Sequence, residues 1–154
     1  MLLATILRDR GYETRAYFLS RRELLALELE READLIAISS ITTTAPVAYA
    51  LADHFRSRGK IVVMGGPHVT FLAEEALEHA DYVIRGEGES ALMAFIDAWE
   101  DGRRDFSAVP NLPWKLAGRT VHHPLGPLEM NLDAIPVPDL TLLKPDPGRV
   151  KFSL

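Results

Sequence analysis

The chain has 154 residues, long enough for one domain with a real core. A hydrophobic share of 47% with 25% charged residues is ordinary for a globular protein, and a net charge of −5 without long runs of one sign argues against nucleic-acid or anionic-membrane binding driven by bulk electrostatics. There is no cysteine, which excludes disulfides, thiolate metal sites, iron–sulfur clusters and cysteine nucleophiles within this chain.

The opening "MLLATILRDRG" is too short to span a bilayer and lacks the basic start and cleavage site of a signal peptide, so a cytoplasmic protein is expected. "LLATILRDRG" reads as a helix with Leu3, Ile6 and Leu7 on one face and Gly11 as its left-handed cap. "YETRAYFL" is a strand candidate and "RRELLALELEREA" a helix of good intrinsic propensity. "DLIAISS" is a continuous apolar run ending in serines, the pattern of a strand covered on both faces. In "TTTAPVAYALADHFRSRG", Thr43 or Thr44 caps a helix, Pro46 suits its first turn, and Gly59 stops it.

"KIVVMGG" is the next buried strand, followed by a helix over "TFLAEEALEHA" with Glu74 and Glu75 near its start. "DYVIRGEGE" gives another strand and glycine turn, and "SALMAFIDAWEDG" a helix with Leu92, Phe95, Ile96 and Trp99 on its core side. Strands alternating with helices predict an α/β fold: a flavodoxin-like or Rossmann-like, doubly wound, mostly parallel sheet. After Gly102 the pattern changes. "LPWKLAGRTVHH" predicts a hairpin around "AGR". From Pro124 the stretch is proline-rich and expected to run extended, and "RVKFSL" is a last strand candidate. The expected organisation is an α/β domain over 1–104, a hairpin extension over 105–123 and a proline-rich linker over 124–154.

In an open parallel sheet, ligands bind outside the carboxyl ends of the strands. "SSITTTAP" (39–46), "GGPHVT" (65–70) and "RGEGES" (85–90) all fall there, and all are small, polar or glycine-rich. One such turn is explained by backbone and capping demands alone. Three at one edge point to a ligand platform. Neither a dinucleotide fingerprint nor a P-loop is present, so a flat and largely uncharged ligand suits the hydroxyl-rich loops best.

"ADLIAISSITTTAP", "VVMGGPHVTFLAEEALEHADYVIRGEGESAL" and "LDAIPVPDLTLL" together resemble the cobalamin-binding domain that precedes the catalytic barrel of cobalamin-dependent radical SAM enzymes. Gly65 to Glu89 is the specific part of the match. The resemblance implies a corrin ring over the sheet edge, with the cofactor's nucleotide tail inserted beside the small-residue turns. It implies that Ser39, Ser40, Ile41 and Thr42 contact the tail and that Gly65 and Gly66 allow close approach. Pro67 and His68 then sit on the rim, and Gly86, Glu87 and Gly88 form the last turn near the corrin edge. The cobalt-ligating Asp-x-His-x-x-Gly turn of many cobalamin domains is absent.

Members of this family begin with a strand ahead of the helix that "LLATILRDRG" matches, so the expectation is a sheet lacking its first strand. "RVKFSL", a strand from a second copy, or closure of the neighbouring strands would fill the gap, with a strand-exchanged homodimer as one outcome. In the resembled enzymes a strand like "RVKFSL" leads into a CxxxCxxC loop that holds an iron–sulfur cluster. With no cysteine, this chain is expected to be non-catalytic by itself, serving a radical SAM barrel in cis or in trans.

Other residues read more plainly. No catalytic residue and no protein metal site is expected. His68 is weighed as a cobalt or substrate contact against a capping or solvent-facing role, and the latter is favoured. Glu87 and Glu89 suit capping and the helix dipole better than catalysis. His122 and His123 lack a third ligand at a supporting spacing, and His54 and His79 lie near helix ends. The rival to a cofactor module is a degenerate domain kept for dimerisation or docking; a nucleotide or flavin at the same edge is a third reading.

Overall fold

The computed structural model describes residues 1–18, 33–103, 105–116, 119–121, 125–126, 133 and 135–144. Helix α1 (Leu2–Asp9) lays Leu3, Ile6 and Leu7 against the core, as their spacing predicts. It ends as expected at Gly11, whose φ of +96° lets the chain reverse. The Gly11 amide donates to the Arg8 carbonyl at 2.8 Å and the Tyr12 amide to the Leu7 carbonyl at 3.1 Å, closing the last turn.

Three parallel strands build the central sheet in the order β2 (Leu35–Ser39), β3 (Ile61–Gly65), β4 (Tyr82–Val83). The register sets Ser39 beside Gly65 and Met64 beside Val83. Alternation along these strands explains why both faces are apolar. Ile36, Val62 and Met64 point into one core with Leu51, Phe55 and Leu77. Val63 points into the other with Leu92, Phe95, Ile96, Phe106, Leu112 and Trp114. Helices therefore cover both faces, the doubly wound arrangement that the apolar runs predict. Phe95, fully buried, anchors the second core, and its truncation to alanine is worth about 3–5 kcal/mol.

On the first face lie α2 (Ala45–Arg56), entered through a 3-10 turn at Thr42–Thr44, and then α3 (Pro67–Phe71) and α4 (Ala73–His79). One helix was expected over 70–80; two are found. The first begins at Pro67, whose ring suits a first helical position, and both stop and start at Leu72, where φ −118° and ψ 48° leave the helical region. The second face carries α1 and α5 (Glu89–Glu100), in which Leu92, Phe95 and Ile96 are buried and Trp99 half-buried. β5 (Trp114–Leu116) and β6 (Arg119–Val121) pair antiparallel, Trp114 opposite Val121, as the hairpin expectation required.

The strand expected over 12–19 is short: β1 (Ala16–Tyr17). It does not close onto β2. Its parallel partner is β7 (Leu143–Lys144), and among the described residues β2 has only β3 as a neighbour. The proline-rich stretch is also not extended throughout. Asp139 caps a 3-10 turn at Leu140–Leu142, its carboxylate accepting from the Thr141 amide at 2.9 Å and the Thr141 hydroxyl at 2.7 Å. The Asp139 amide donates to the buried Thr5 hydroxyl at 2.8 Å, and Arg8 pairs with its carboxylate. These bonds clasp the tail to α1. The helix expected over 21–33 (Ala33 apart), His122 and His123, and "RVKFSL" lie outside the described residues. Among the described residues no helix is long and apolar enough to cross a membrane.

Candidate functional site

The three turns predicted to meet at the carboxyl edge do meet. The Ser40 amide donates to the Gly65 carbonyl at 3.1 Å, and the Ser40 carbonyl accepts from the His68 amide at 3.2 Å, so the first and second turns are cross-tied. Thr44 shapes the first turn through its hydroxyl, which accepts from the Ile41 amide at 3.2 Å and donates to the Ile41 carbonyl at 3.1 Å. Thr70 joins the second turn to the third. Its hydroxyl donates to the Gly66 carbonyl at 3.0 Å and accepts from the Gly86 amide at 2.9 Å, while its carbonyl accepts from Arg85 Nε at 3.0 Å.

The two adjacent glycines have different reasons to be glycine. Gly66 has φ +97°, and a Cβ there would sit 2.7 Å from both the Ser39 hydroxyl and the Ser40 carbonyl oxygen. The protein's own first turn crosses it. Among the described residues a Cβ at Gly65 would meet only the Ile84 carbonyl oxygen, at an ordinary 3.7 Å, so they leave that position open. Beside them the Ser40 hydroxyl is buried with no hydrogen-bond partner among the described residues, and a hydroxyl so placed is a cost unless something completes it. On β2, Ala37 and Ser39 are exposed, a strip of small side chains along the same face.

Ile41 and Thr42 are exposed on the first turn, and Pro67 opens α3. His68 is not a rim residue: it is 7% exposed. Its Nε2 lies 3.0 Å from the Tyr49 hydroxyl and 3.7 Å from Glu75 Oε1, and its Nδ1 lies 3.3 Å from the Thr42 hydroxyl. Tyr49 is held in turn by His79, stacked at 4.3 Å, whose Nδ1 contacts Asp53 at 2.9 Å. Burial, and then the Glu75 hydrogen bond and charge, push the Tyr49 phenol up to about 12. His79 thus stands near a helix end as expected, but engaged with a carboxylate.

The third turn is less uniform. Gly86 joins the platform through Thr70, whereas Gly88 packs under α1, where a Cβ would lie 3.3 Å from Leu3 Cδ1. The Glu87 carbonyl accepts from Asn111 Nδ2 at 3.5 Å, and Glu89 stands in the first turn of α5. Thr70, Tyr49, Arg85 and Asn111 were not singled out from the sequence, and Glu75 only for its place near a helix start. Asn111 holds the third turn through Glu87, its carbonyl accepting the Arg85 amide at 2.9 Å and its side-chain oxygen the Gly126 amide. It does so from φ +60°, a conformation asparagine tolerates better than most residues, which is the one local signal it carries.

A family model described as "B12 binding domain" matches residues 1–96. The chain belongs to the B12 binding domain family. Over 118 residues it is 36% identical to "Uncharacterized methyltransferase PH0819" of Pyrococcus horikoshii, an alignment covering 73% of this chain and 26% of that protein. Over 64 residues it is 45% identical to bacteriochlorophyllide d C-8(2)-methyltransferase of Chlorobaculum tepidum, covering 42% of this chain and 14% of that one. Among solved structures, the radical S-adenosylmethionine methyltransferase TsrM from Kitasatospora setae, with cobalamin and a [4Fe-4S] cluster bound, superposes with a TM-score of 0.68 at 21% identity, over 88% of this chain and 27% of that one. At that identity the likeness shows a shared fold. This chain spans about a quarter or less of the length of the curated relatives it matches.

The cofactor expected from the resemblance, cobalamin, is that of this B12 binding domain family. The residues present fit it. The unpartnered Ser40 hydroxyl, the open side of Gly65 and the exposed Ala37–Ser39 strip give a corrinoid polar and steric room where a self-contained sheet would have filled it.

Proposed function

We propose that this chain is the cobalamin-holding module of a cobalamin-dependent radical SAM enzyme of methyltransferase type, non-catalytic alone and serving a radical SAM barrel in cis or in trans. The proposal divides the chain into a binding domain (1–104), a hairpin extension (105–123) and a linker toward the barrel (124–154). It carries a cytoplasmic location, and a metal only through the cofactor's cobalt. Cobalamin, when bound, supplies a centre that carries a methyl group or exchanges electrons. The chain's own residues bind and orient it: Ser39, Ser40, Ile41 and Thr42 offer backbone and hydroxyl groups, Gly65 keeps the approach clear, Gly66 lets the first turn cross beside it, and Pro67 with His68 fixes the second turn. Gly86, Glu87 and Gly88 bound the third.

The observation that carries this reading is the Ser40 hydroxyl, buried and, among the described residues, unpaired beside a glycine that none of them crowds. The test is gel filtration of the purified chain mixed with hydroxocobalamin, followed by absorption spectroscopy. Co-eluting corrinoid with an altered spectrum is expected; complete loss of the corrinoid on the column would end the proposal.

A second reading has one observation in its favour. Among the described residues β2 is the edge of its sheet, and an edge strand is a template for pairing with another chain. A degenerate domain kept for strand-exchanged dimerisation or docking would then bind no corrinoid and run at twice the monomer mass in light scattering.

A further inference from the structure

We propose that His68 fixes the polarity of the Thr42 hydroxyl, so that Thr42 meets the ligand as a hydrogen-bond acceptor and selects a primary amide over a carboxylate at that point of the site. The inference rests on the cobalamin reading and moves Thr42, exposed on the first turn, from the tail contact that the resemblance implies to the corrin periphery, which carries primary amide side chains.

An ionised carboxylate only accepts hydrogen bonds, and Glu75 Oε1 lies 3.7 Å from His68 Nε2. The Tyr49 hydroxyl, 3.0 Å from the same nitrogen, is able either to accept from the imidazole or to donate to it, so the carboxylate decides. Glu75 therefore favours the ring proton on Nε2. A lone pair placed there instead would confront a carboxylate. Which nitrogen of a histidine bears the proton is set by the partners of the two, so Nδ1 carries the lone pair.

Thr42 lies 3.3 Å from that lone pair and has one proton to give. Once it is given inward, only lone pairs remain on the outer side of an exposed residue of the first turn. An amide N–H satisfies them; a carboxylate repels them. The chain of contacts is held against rearrangement at both ends. The His68 amide is bonded to the Ser40 carbonyl at 3.2 Å, and the Tyr49 ring is stacked on His79, which Asp53 holds. His68 acts through Thr42 and is a positioning residue.

Two measurements test this on the full chain. In nitrogen-15 spectra of histidine-labelled protein, His68 is expected as the Nε2–H tautomer, and Y49F/E75Q, which removes the Tyr49 hydroxyl and the Glu75 charge, is expected to give a mixture. Tyr→Phe keeps the ring in place, and the Glu75 side chain is half exposed, so the fold survives; E75Q alone is the fallback. Dissociation constants are then compared for cyanocobalamin and for its monocarboxylates, each with one side-chain amide hydrolysed. For at least one monocarboxylate the wild type is expected to bind about tenfold more weakly, the cost of leaving one polar partner unmatched, with the ratio falling toward parity in the variant. An Nδ1–H tautomer, or a ratio identical in wild type and variant, overturns the inference while leaving cobalamin binding intact. Failure of every corrinoid to bind the folded wild type overturns the cofactor reading and this inference together.

Discussion

Replacing Gly65 and Gly66 by alanine, one at a time, separates what the fold needs from what the ligand needs. At Gly66 the new Cβ lands 2.7 Å from the Ser40 carbonyl oxygen and the Ser39 hydroxyl, on a backbone at φ +97°. Holding a side chain in that region costs about 1–3 kcal/mol. Prising the first turn away costs about 1–3 kcal/mol more. A loss of about 2–6 kcal/mol is a large part of the roughly 5–15 kcal/mol that stabilises a domain, so Gly66→Ala is expected to be barely folded. At Gly65 the Cβ meets one backbone oxygen at 3.7 Å, and stability should move by no more than about 1 kcal/mol, in the stabilising direction if the strand accepts the methyl freely. The same methyl intrudes where a corrinoid is proposed to approach, and a clash worth about 1–3 kcal/mol weakens binding about 5- to 150-fold. Urea unfolding followed by circular dichroism reads the first quantity and cobalamin titration the second. Equal destabilisation by the two substitutions, or an unchanged affinity in Gly65→Ala, would refute the reasoning.

Further expectations follow from the clasp, the phenol and the strained asparagine. The Asp139 carboxyl is held below its ordinary value of 3.8, chiefly by the Thr141 hydrogen bonds and then by Arg8. Its contribution is therefore complete above about pH 4 and is lost as pH falls through the lower folded value; acid should release the 139–144 segment, seen as faster amide exchange there, and Asp139→Asn should release it at neutral pH. Tyr49 should ionise near pH 12 rather than near 10 in an ultraviolet titration, a late step that Tyr49→Phe removes. Because the folded value is the higher one, stability from this group is complete below about pH 10 and disappears as pH rises through 12. Asn111→Ala should cost about 2–4 kcal/mol in thermal melts, and Asn111→Gly less, because glycine keeps φ +60° without strain although both lose the side-chain hydrogen bonds.

Elements whose cause is local were legible in the sequence. Gly11 ended α1, the apolar runs became β2 and β3, the runs on either side of Ala117 and Gly118 paired as a hairpin, and Phe95 with Leu92 faced the core. The three turns gathered at one edge because parallel strands leave them no other place. What escaped is what distant residues impose. The Arg85 amide goes to Asn111 instead of lengthening β4. The proline-rich tail turns because Asp139 finds Thr5, 134 positions away. His68 looked like a rim residue from its own neighbours, but Tyr49, a turn and a strand earlier, draws it inside. Gly66 was read as room for a visitor and is room for Ser39 and Ser40, while its neighbour Gly65 keeps the open side.

Thr70 also sets how far the lip of the site can move. A single hydroxyl grips the second turn with its proton and the third with its oxygen, so neither can drift without dragging the other. A lip fastened in this way meets its guest as one stiff piece, and little freedom is left to surrender when docking occurs. Cutting that fastener with Thr70→Val should slow nothing in folding yet loosen the grip, showing first as faster escape of the guest.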